Sequence, residues 1–522
     1  MTDGSYLTLP IDRFFIEVGN GFMSRKEVRG GQEHLEEAGG GSAAGVLGGV
    51  RVAGSGQERR RAMRKRRRVA GLAVLMSAGL WSQDVSVYGT TLAQMWKSEG
   101  SGFDQATFAP ATQYLGIDAT NLGTDRLSLH LFGWGRADLS EQSSIAGKSG
   151  GDLAFGYLQY RLPYANAEIK AGRFNVSSSS GIEQVNGVSA KADLKGGFTV
   201  SAFGGQPVLY DRPVGSAAAK DDYEFQRNFI VGARIGLRVA KVGEFGLSYL
   251  QDGQNAAKDL PIPSATDYTR RHVGLDLRIA AHAAVELSGR TVFDVAKHAD
   301  PAGESPSNIA EHDYALSVKA MDELAFAGTF TERNYRAYYA GTNFHSLFNQ
   351  KEKGKFNAMG ASVTWGSASK LQVVADFRHT KRELYGDANR IGADLRWAIS
   401  GLKLNTGFGF HKVSADDMPL KGEAVLHGYS HSELRAWAMH EKGKVSASVD
   451  GIFYAFDDAK NPNLNGKSSM FEVVGSLGYR VNGSLKVSGD LAFGANPEVK
   501  KEVRGLLRAE YRFGGGAKGG KQ

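Results

Sequence analysis

The chain has 522 residues, of which 42% are hydrophobic, 23% are charged and none is cysteine. The absence of cysteine excludes a disulfide scaffold, a four-cysteine zinc site, thiolate catalysis and c-type haem attached to this chain, because each needs cysteine sulfur. Residues 1–82 hold 13 of the 63 basic and 8 of the 55 acidic residues, so the rest of the chain carries a net charge of only +3. This balance argues against a nucleic-acid partner.

The N-terminal part has two sections. Residues 1–62 are Gly-rich and mixed in charge, and we interpret them as a disordered or misassigned extension. Residues 63–82 have the three-part layout of a secretory signal peptide, with basic residues at 64–68, an apolar run at 69–76 and small residues after it. We therefore expect translation to begin at Met63. The alternative is an arm whose basic run contacts nucleic acid, but such an arm gains nothing from the apolar run.

From residue 85 onward, apolar and polar residues alternate with period two, which is typical of β-strands whose two faces differ. In Arg227–Val239, for example, Phe229 and Ile235 share the apolar face while Arg234 lies on the other. Short turns such as Val481–Ser484 contain Gly or Asn, which favour the positive φ of tight hairpins. Longer polar connections separate these hairpins, and after the signal no run of about 18 apolar residues predicts a membrane helix.

Strands of roughly ten residues can cross a bilayer when tilted by about 45°. A sheet in lipid must close on itself to satisfy its backbone polar groups. We therefore predict an all-β fold, a transmembrane antiparallel up-and-down β-barrel at 83–513 with about 22 strands (range about 18–24), short periplasmic turns and long extracellular loops, and a Gly/Lys tail at 514–522. The alternative, a soluble β-sandwich or β-solenoid, gives no reason for the regular alternation of short and long connections.

The apolar face of these strands consists largely of Leu, Val, Ala, Ile and Gly, and aromatic residues often lie near strand ends. Aromatics in such positions indicate the interfacial girdles of a membrane barrel; they are Tyr249, Trp365, Trp397, Trp437 and Tyr479. Glycine makes up 68 of the 522 residues, about 13% against a usual share of about 7%. We expect it to allow curvature and close backbone approach in the barrel wall.

The polar face carries charges of both signs in the middle of strands, which would be costly in a soluble core but not in a water-filled lumen. We predict that these residues line a pore, where clustered arginines favour anions: Arg234, Arg238, Asp276, Arg278, Arg290, Asp376, Arg378, Arg390, Asp394, Arg396, Asp490, Arg508 and Arg512. The other interpretation, compatible with the first, is that the charges pair across neighbouring strands and keep the wall hydrated.

No catalytic, cofactor-binding or metal-binding set is predicted. His427 and His431 lie at a loop-to-strand junction, where residues four apart are about 13 Å apart, too far for one metal ion. The acidic pairs 416–417 and 457–458 lack the spacing of a calcium loop. No nucleophile with a plausible base stands out, so we expect no enzyme activity and hold an embedded hydrolase only as a further hypothesis.

The last strand, Val503–Phe513, resembles the terminal strand of Gram-negative outer-membrane barrels, whose closing aromatic residue is read by the barrel-assembly machinery. Nine residues follow Phe513, whereas those barrels usually stop at the aromatic. Four segments resemble the porin-like barrels of metal-reducing deltaproteobacteria: Leu127–Leu139, Tyr160–Leu162, Ala171–Phe174 and Asp193–Phe198. The Gly-Arg pair at 172–173 is also similar to general porins. Some barrels of that family sheath multihaem cytochromes in electron conduits.

The resemblance implies a multi-pass protein of the cell outer membrane, in contact with its lipid and inserted by the assembly machinery. We expect a porin-like channel for passive passage of small hydrophilic solutes or ions. The alternative is a barrel sheath for a multihaem cytochrome, with periplasmic and surface cytochromes as partners and haem present only through them. Transporters with 22 strands have a plugged lumen, and the sequence leaves no segment for a plug of that kind.

Overall fold

The computed structural model describes most of residues 84–514. Within that span the description omits 101–102, 141–148, 209–227, 255–267, 296–308, 336–353, 384–385, 420–424, 427, 459–460, 462–463 and 498. The extension, the signal peptide and the tail after Gly514 lie outside the described residues, so they stay predictions.

The described residues form 25 β-strands. Their bounds are β1 (Asp84–Gly100), β2 (Phe103–Phe108), β3 (Pro110–Thr120), β4 (Leu127–Asp138), β5 (Ser149–Arg161), β6 (Glu168–Ser178), β7 (Gly181–Asp193), β8 (Phe198–Pro207), β9 (Asn228–Val239), β10 (Gly243–Gln254), β11 (Tyr268–His282), β12 (Val285–Asp294), β13 (Ile309–Met321), β14 (Leu324–Asn334), β15 (Lys355–Gly366), β16 (Leu371–Arg382), β17 (Ala388–Ile399), β18 (Leu404–Ala415), β19 (Met418–Pro419), β20 (Val425–Leu426), β21 (His431–Lys442), β22 (Val445–Phe456), β23 (Ser469–Arg480), β24 (Leu485–Ala495) and β25 (Val499–Gly514).

Twenty-two of these strands form one closed antiparallel ring. Each barrel strand pairs with its neighbours in chain order, and β1 closes the ring by pairing with β25 from Ser86↔Gly514 onward and with β3 from Asp84↔Thr120 onward. Strand β2 pairs only with the end of β1, and β19 pairs with β20 outside the ring. The predicted all-β closed barrel of about 22 strands is therefore confirmed. Among the described segments, no helix has the length and apolar character needed to cross a membrane.

The two ends of the barrel have different connections. At the end that we call the turn end, the ten connections have two to six residues each, and both β1 and β25 have their outer termini there. At the opposite end, the loop end, connections reach 20 residues, as between β8 and β9. Three loop-end connections are nevertheless short, namely Ser179–Ser180, residues 383–387 and residues 496–498. The first of these belongs to a hairpin that leaves the wall.

Residues alternate between an outer and an inner face along the barrel strands. Large apolar side chains on the outer face are exposed, including Ile235, Ile391, Leu477 and Leu507 at 56–65%. Near the turn end, the outer face also carries aromatic side chains that are about half exposed, namely Trp365, Trp397, Tyr479 and Phe513. This composition suits contact with lipid and its interface.

Trp437 does not belong to the predicted outer girdle. It pairs with Asp450 and Gly407 and lies on the same face as Glu433 and Arg435, which is the inner face. A Cβ at Gly407 would clash with the indole ring, so the ring occupies the space over this glycine. The outer face of β21 instead carries Leu434 and the other even-numbered residues. An aromatic residue near a strand end does not by itself show which face it belongs to.

The hairpin of β6 and β7 bends into the lumen. Strand β5 pairs with β6 only up to Gly156↔Arg173, whereas β6 and β7 stay paired to the tip at Ser178↔Gly181. The Ser179 hydroxyl in that tip donates to Asp276 Oδ2 on β11 at 2.7 Å. Since β6 and β11 are not neighbours but lie five strands apart in the ring, this contact passes through the interior and identifies the face of Asp276 as the inner one.

A small apolar cluster seats the bent hairpin on the inner wall. Phe174 and Val185 from the hairpin pack with Ile230 of β9 and Leu250 of β10, and all four are at most 1% exposed. Ion pairs extend this seat, because Arg270 on β11 lies 2.7 Å from Glu183 on β7. The barrel therefore has a packed core on one side of its interior.

Candidate functional site: the inner face of the barrel

All thirteen residues predicted to line a pore lie on the face shared with Asp276. Residues directly opposite each other on paired strands share a face, so the inner face can be followed around the ring, for example from Asp276 to Arg290 and from Arg290 to Asp313. Their role in conduction stays a prediction. Some of them meet in ion pairs and others do not.

On β9–β14 the inner charges form a nearly continuous chain of ion pairs. Arg234 contacts Asp276 at 2.6 Å and Glu244 at 3.2 Å, while Glu244 also pairs with Arg238 at 3.4 Å. Arg278 contacts Glu286 at 2.8 Å in the same sector. Opposite charges on neighbouring strands stabilise the wall, so in this sector the interpretation of paired charges applies.

Farther along this chain, Glu311 is completely buried between two arginines. Its carboxylate lies 2.9 Å from Arg290 and 2.5 Å from Arg333. Glu311 was not among the predicted residues, although it is two residues from Asp313 and shares the polar face of β13 with it. The stability of a carboxylate buried in this way depends on its two arginine partners, since removing one of them leaves buried charge that is not compensated.

A second group of charges converges on a histidine. His411 on β18 lies near Asp376 on β16 and Asp394 on β17, with Nε2 to carboxylate distances of 3.2 and 3.4 Å. Asp376 is also paired with Arg390 at 2.7 Å, so three of the predicted residues meet here. His411 itself was not predicted, because nothing in the sequence marks one histidine on a strand as different from the others.

Near the closure of the ring, the two predicted arginines of β25 make longer polar contacts. Arg508 on β25 lies 3.6 Å from Asp490 on β24, and Arg512 is exposed and contacts Ser86. Arg504 pairs with Glu472, two strands away. This sector contributes charge of both signs to the inner face.

Arg378 and Arg396 differ from the other predicted arginines. Both are exposed on the inner face, and neither makes an ion pair or a side-chain hydrogen bond with another described residue. Arg378 lies directly opposite Arg390 in the pairing register. These two side chains are therefore the most available positive charges of the predicted set.

A stripe of aromatic rings covers the inner face of β1 and β3–β6. Its members are Tyr88, Tyr114, Phe132, Phe155, Tyr157 and Phe174, with neighbouring ring centroids 5.5–6.5 Å apart. The sequence does carry a signal for it, since these rings alternate with outer residues such as Leu115 and Leu158 rather than sharing their face. The stripe gives the lumen an apolar sector beside its charged one.

The tip of the bent hairpin faces a polar recess. Ser177, Ser178 and Ser179 line it together with Arg234, Asp276 and Arg290. Serine hydroxyls both donate and accept hydrogen bonds, so the recess combines neutral and charged polar groups. The hairpin therefore narrows the lumen, and the part of it that lines the recess consists of small polar serine side chains.

The loop-end residues considered as metal ligands have other contacts. His427 lies outside the described residues, and His431 places Nδ1 2.7 Å from the Tyr429 carbonyl oxygen. Asp457 receives hydrogen bonds from the Lys412 ammonium at 2.5 and 2.6 Å, and Asp417 accepts one from the Gly428 amide at 2.8 Å. These contacts account for the conformations of Asp417 and Asp457.

Comparison with solved structures places this ring among known barrels. A mutant of the ferric enterobactin receptor PfeA from Pseudomonas aeruginosa matches with a TM-score of 0.51 and 11% identity over 82% of this chain and 80% of that one. The siderophore receptor PirA from the same organism matches with 0.51 and 10% over the same shares. The outer membrane protein opdK from that organism matches with 0.36 and 10% over 83% and 100%.

At these identities the likeness shows the fold, a closed antiparallel barrel with neighbours among outer-membrane barrels. None of the three structures is described as an enzyme. No protein-family model matches the chain, and no curated protein matches it.

Proposed function

We propose that this protein is a porin-like channel of the outer membrane through which small hydrophilic solutes or ions pass passively. The observation that carries the proposal is the composition of the closed ring, which is apolar outside and charged along much of its inside. Exposed outer side chains such as Ile391 and Leu507 match lipid. Inner side chains such as Arg378 and Arg396 are exposed to the lumen, where water can solvate them.

The position of the hairpin supports a pore that is narrowed but not filled. The β6–β7 tip rests on β9–β11, and its serines leave a recess beside Arg234 and Arg290. Barrels of about 16–18 strands already leave an aqueous channel, so a ring of 22 strands retains space beside one folded hairpin. On this proposal, the turn end faces the periplasm and the loop end faces outward.

The channel is tested by adding the purified barrel to planar lipid bilayers. We expect stepwise, ohmic conductance without any partner protein, and none from the same preparation after heat unfolding. A folded barrel that inserts but gives no conductance would contradict the proposal.

The cytochrome sheath stays the second candidate. Its support is the width of the ring and the absence of cysteine from all 522 residues, which means that any c-type haem must belong to a partner. The β6–β7 hairpin argues against the sheath, because it occupies lumen space that an enclosed protein would need. A closed barrel that co-purifies with haem absorbance from its native membrane would favour the sheath over the channel.

Removing the two available arginines should reduce anion preference. In Arg378→Gln/Arg396→Gln we expect the reversal potential in a KCl gradient to move toward the cation side, because positive charge in a pore concentrates anions. The matched control is Arg126→Gln/Lys195→Gln, which removes the same charge from two turns at the turn end. Equal shifts in both variants would show that net charge, rather than the inner face, sets selectivity.

A further inference from the structure

We propose that His411, Asp376 and Asp394 bind a first-row divalent metal ion, such as Mn²⁺, Fe²⁺, Co²⁺ or Zn²⁺, on the inner wall of the barrel. One ligand atom from each of the three residues lies within 4.8 Å of the other two. Imidazole nitrogen combined with carboxylate oxygen suits these metals. The site is independent of whether the barrel conducts.

The backbone register creates the convergence. Asp376, Gly392, His411 and Glu433 form one row across β16, β17, β18 and β21. A Cβ at Gly392 would clash with the imidazole ring, so the absence of a side chain there lets His411 reach over β17 to Asp376. Asp394, two residues along β17, occupies the space over Gly409 in the same way.

His411 is held as a metal ligand would be. Its side chain is only 4% exposed although it lies on the inner wall, and Nε2 faces both aspartates. The other nitrogen, Nδ1, lies 3.7 Å from Glu433 Oε1 and has no hydrogen-bond partner among the described residues. A carboxylate behind the second nitrogen is the arrangement that orients metal-bound histidines and strengthens them as ligands.

The charge of the cluster also fits a divalent cation. With the imidazole counted in the neutral form that a metal ion requires, the cluster has three carboxylates, those of Asp376, Asp394 and Glu433. Arg390 supplies one positive charge at 2.7 Å from Asp376. The local balance is therefore two negative charges. A divalent ion would neutralise it, whereas protonation of the imidazole would compensate only half.

The test is titration of the purified, detergent-solubilised barrel with Co²⁺, whose visible absorption reports coordination by nitrogen and oxygen. We expect saturable binding in the parent protein, loss of it in His411→Gln and Asp394→Asn, and binding weakened about 10–100-fold in Glu433→Gln. The matched control is His130→Gln. His130 is also an inner histidine, but it has one carboxylate partner, Asp118 at 2.7 Å, so its replacement should leave Co²⁺ binding unchanged.

Heat-modified migration in gels shows that each variant is folded before titration. Absence of saturable Co²⁺ binding in the parent protein overturns the proposal and leaves an imidazolium within an ion-pair network. Binding that survives in folded His411→Gln and Asp394→Asn overturns it as well. Because the measurement uses no membrane and no current, a failure here is distinct from failure of the channel.

Discussion

Replacing Gly172 by alanine should lower the stability of the barrel by about 3 kcal/mol. Gly172 has φ +132°, and a Cβ there would clash with the Gly156 carbonyl oxygen and lie 2.8 Å from Tyr157 Cα. Both obstacles are backbone atoms, which cannot rotate away as a side chain can. The strain falls where β6 leaves β5, so we expect the bend itself to be affected.

The matched control for this variant is Gly475→Ala. Gly475 lies within β23, and a Cβ there would meet no atom within 4 Å. Its replacement should be neutral or slightly stabilising, because alanine has less freedom to lose on folding than glycine. The measurement is urea unfolding of both variants in lipid vesicles, followed by tryptophan fluorescence. Equal midpoints would show that the backbone at Gly172 is not constrained as described.

The sequence was sufficient to predict the ring. Alternation such as that from Phe229 to Val239 depends only on local order, so it can be recognised in the sequence without knowing which strands pair. The barrel strands of 10–17 residues match that expectation. The closing pair of strands also followed, since an up-and-down order leaves only the first and last strands to join.

The bent hairpin was not predicted, because its cause appears only after the strands are aligned. Gly172, Gly187 and Gly205 are 15 and 18 residues apart in sequence, yet the pairing register places them side by side across β6, β7 and β8. A row of glycines has no side chains to keep neighbouring strands apart, so the sheet can fold sharply there. The sequence showed surplus glycine without showing this row.

The sequence predicted the charged residues of the candidate metal site but not their convergence, because the convergence also depends on how the strands are aligned. Mid-strand charges such as Asp376 and Asp394 follow from alternation, and the structure puts them on one face. Their meeting with His411 requires the register of three strands and a glycine at position 392. The prediction for Trp437 was wrong because it relied on the position of the residue near a strand end. The face of a strand residue depends instead on whether its number is odd or even relative to its neighbours.

Shortening the bent hairpin should produce the largest functional change. In the register Phe174 lies directly opposite Val185, so Asn175–Gln184 can be replaced by an Asn-Gly turn joining these two residues. Phe174 and Val185 would still cover Ile230 and Leu250, while the serine tip and Glu183 would be lost. We expect single-channel conductance to rise about twofold or more, because a ring wider than an open barrel of 16–18 strands would lose its internal constriction.

The control keeps the hairpin and its contacts. Ile182 is 75% exposed near the tip, and Ile182→Ser should leave conductance unchanged because no anchor of the hairpin is removed. If a folded, shortened barrel conducts like the parent protein, the narrowest part of the path lies elsewhere. A rise confined to the shortened form would mean that one hairpin sets the width of the pore. That hairpin is seated on an apolar cluster and is held to β11 through Ser179 and Glu183.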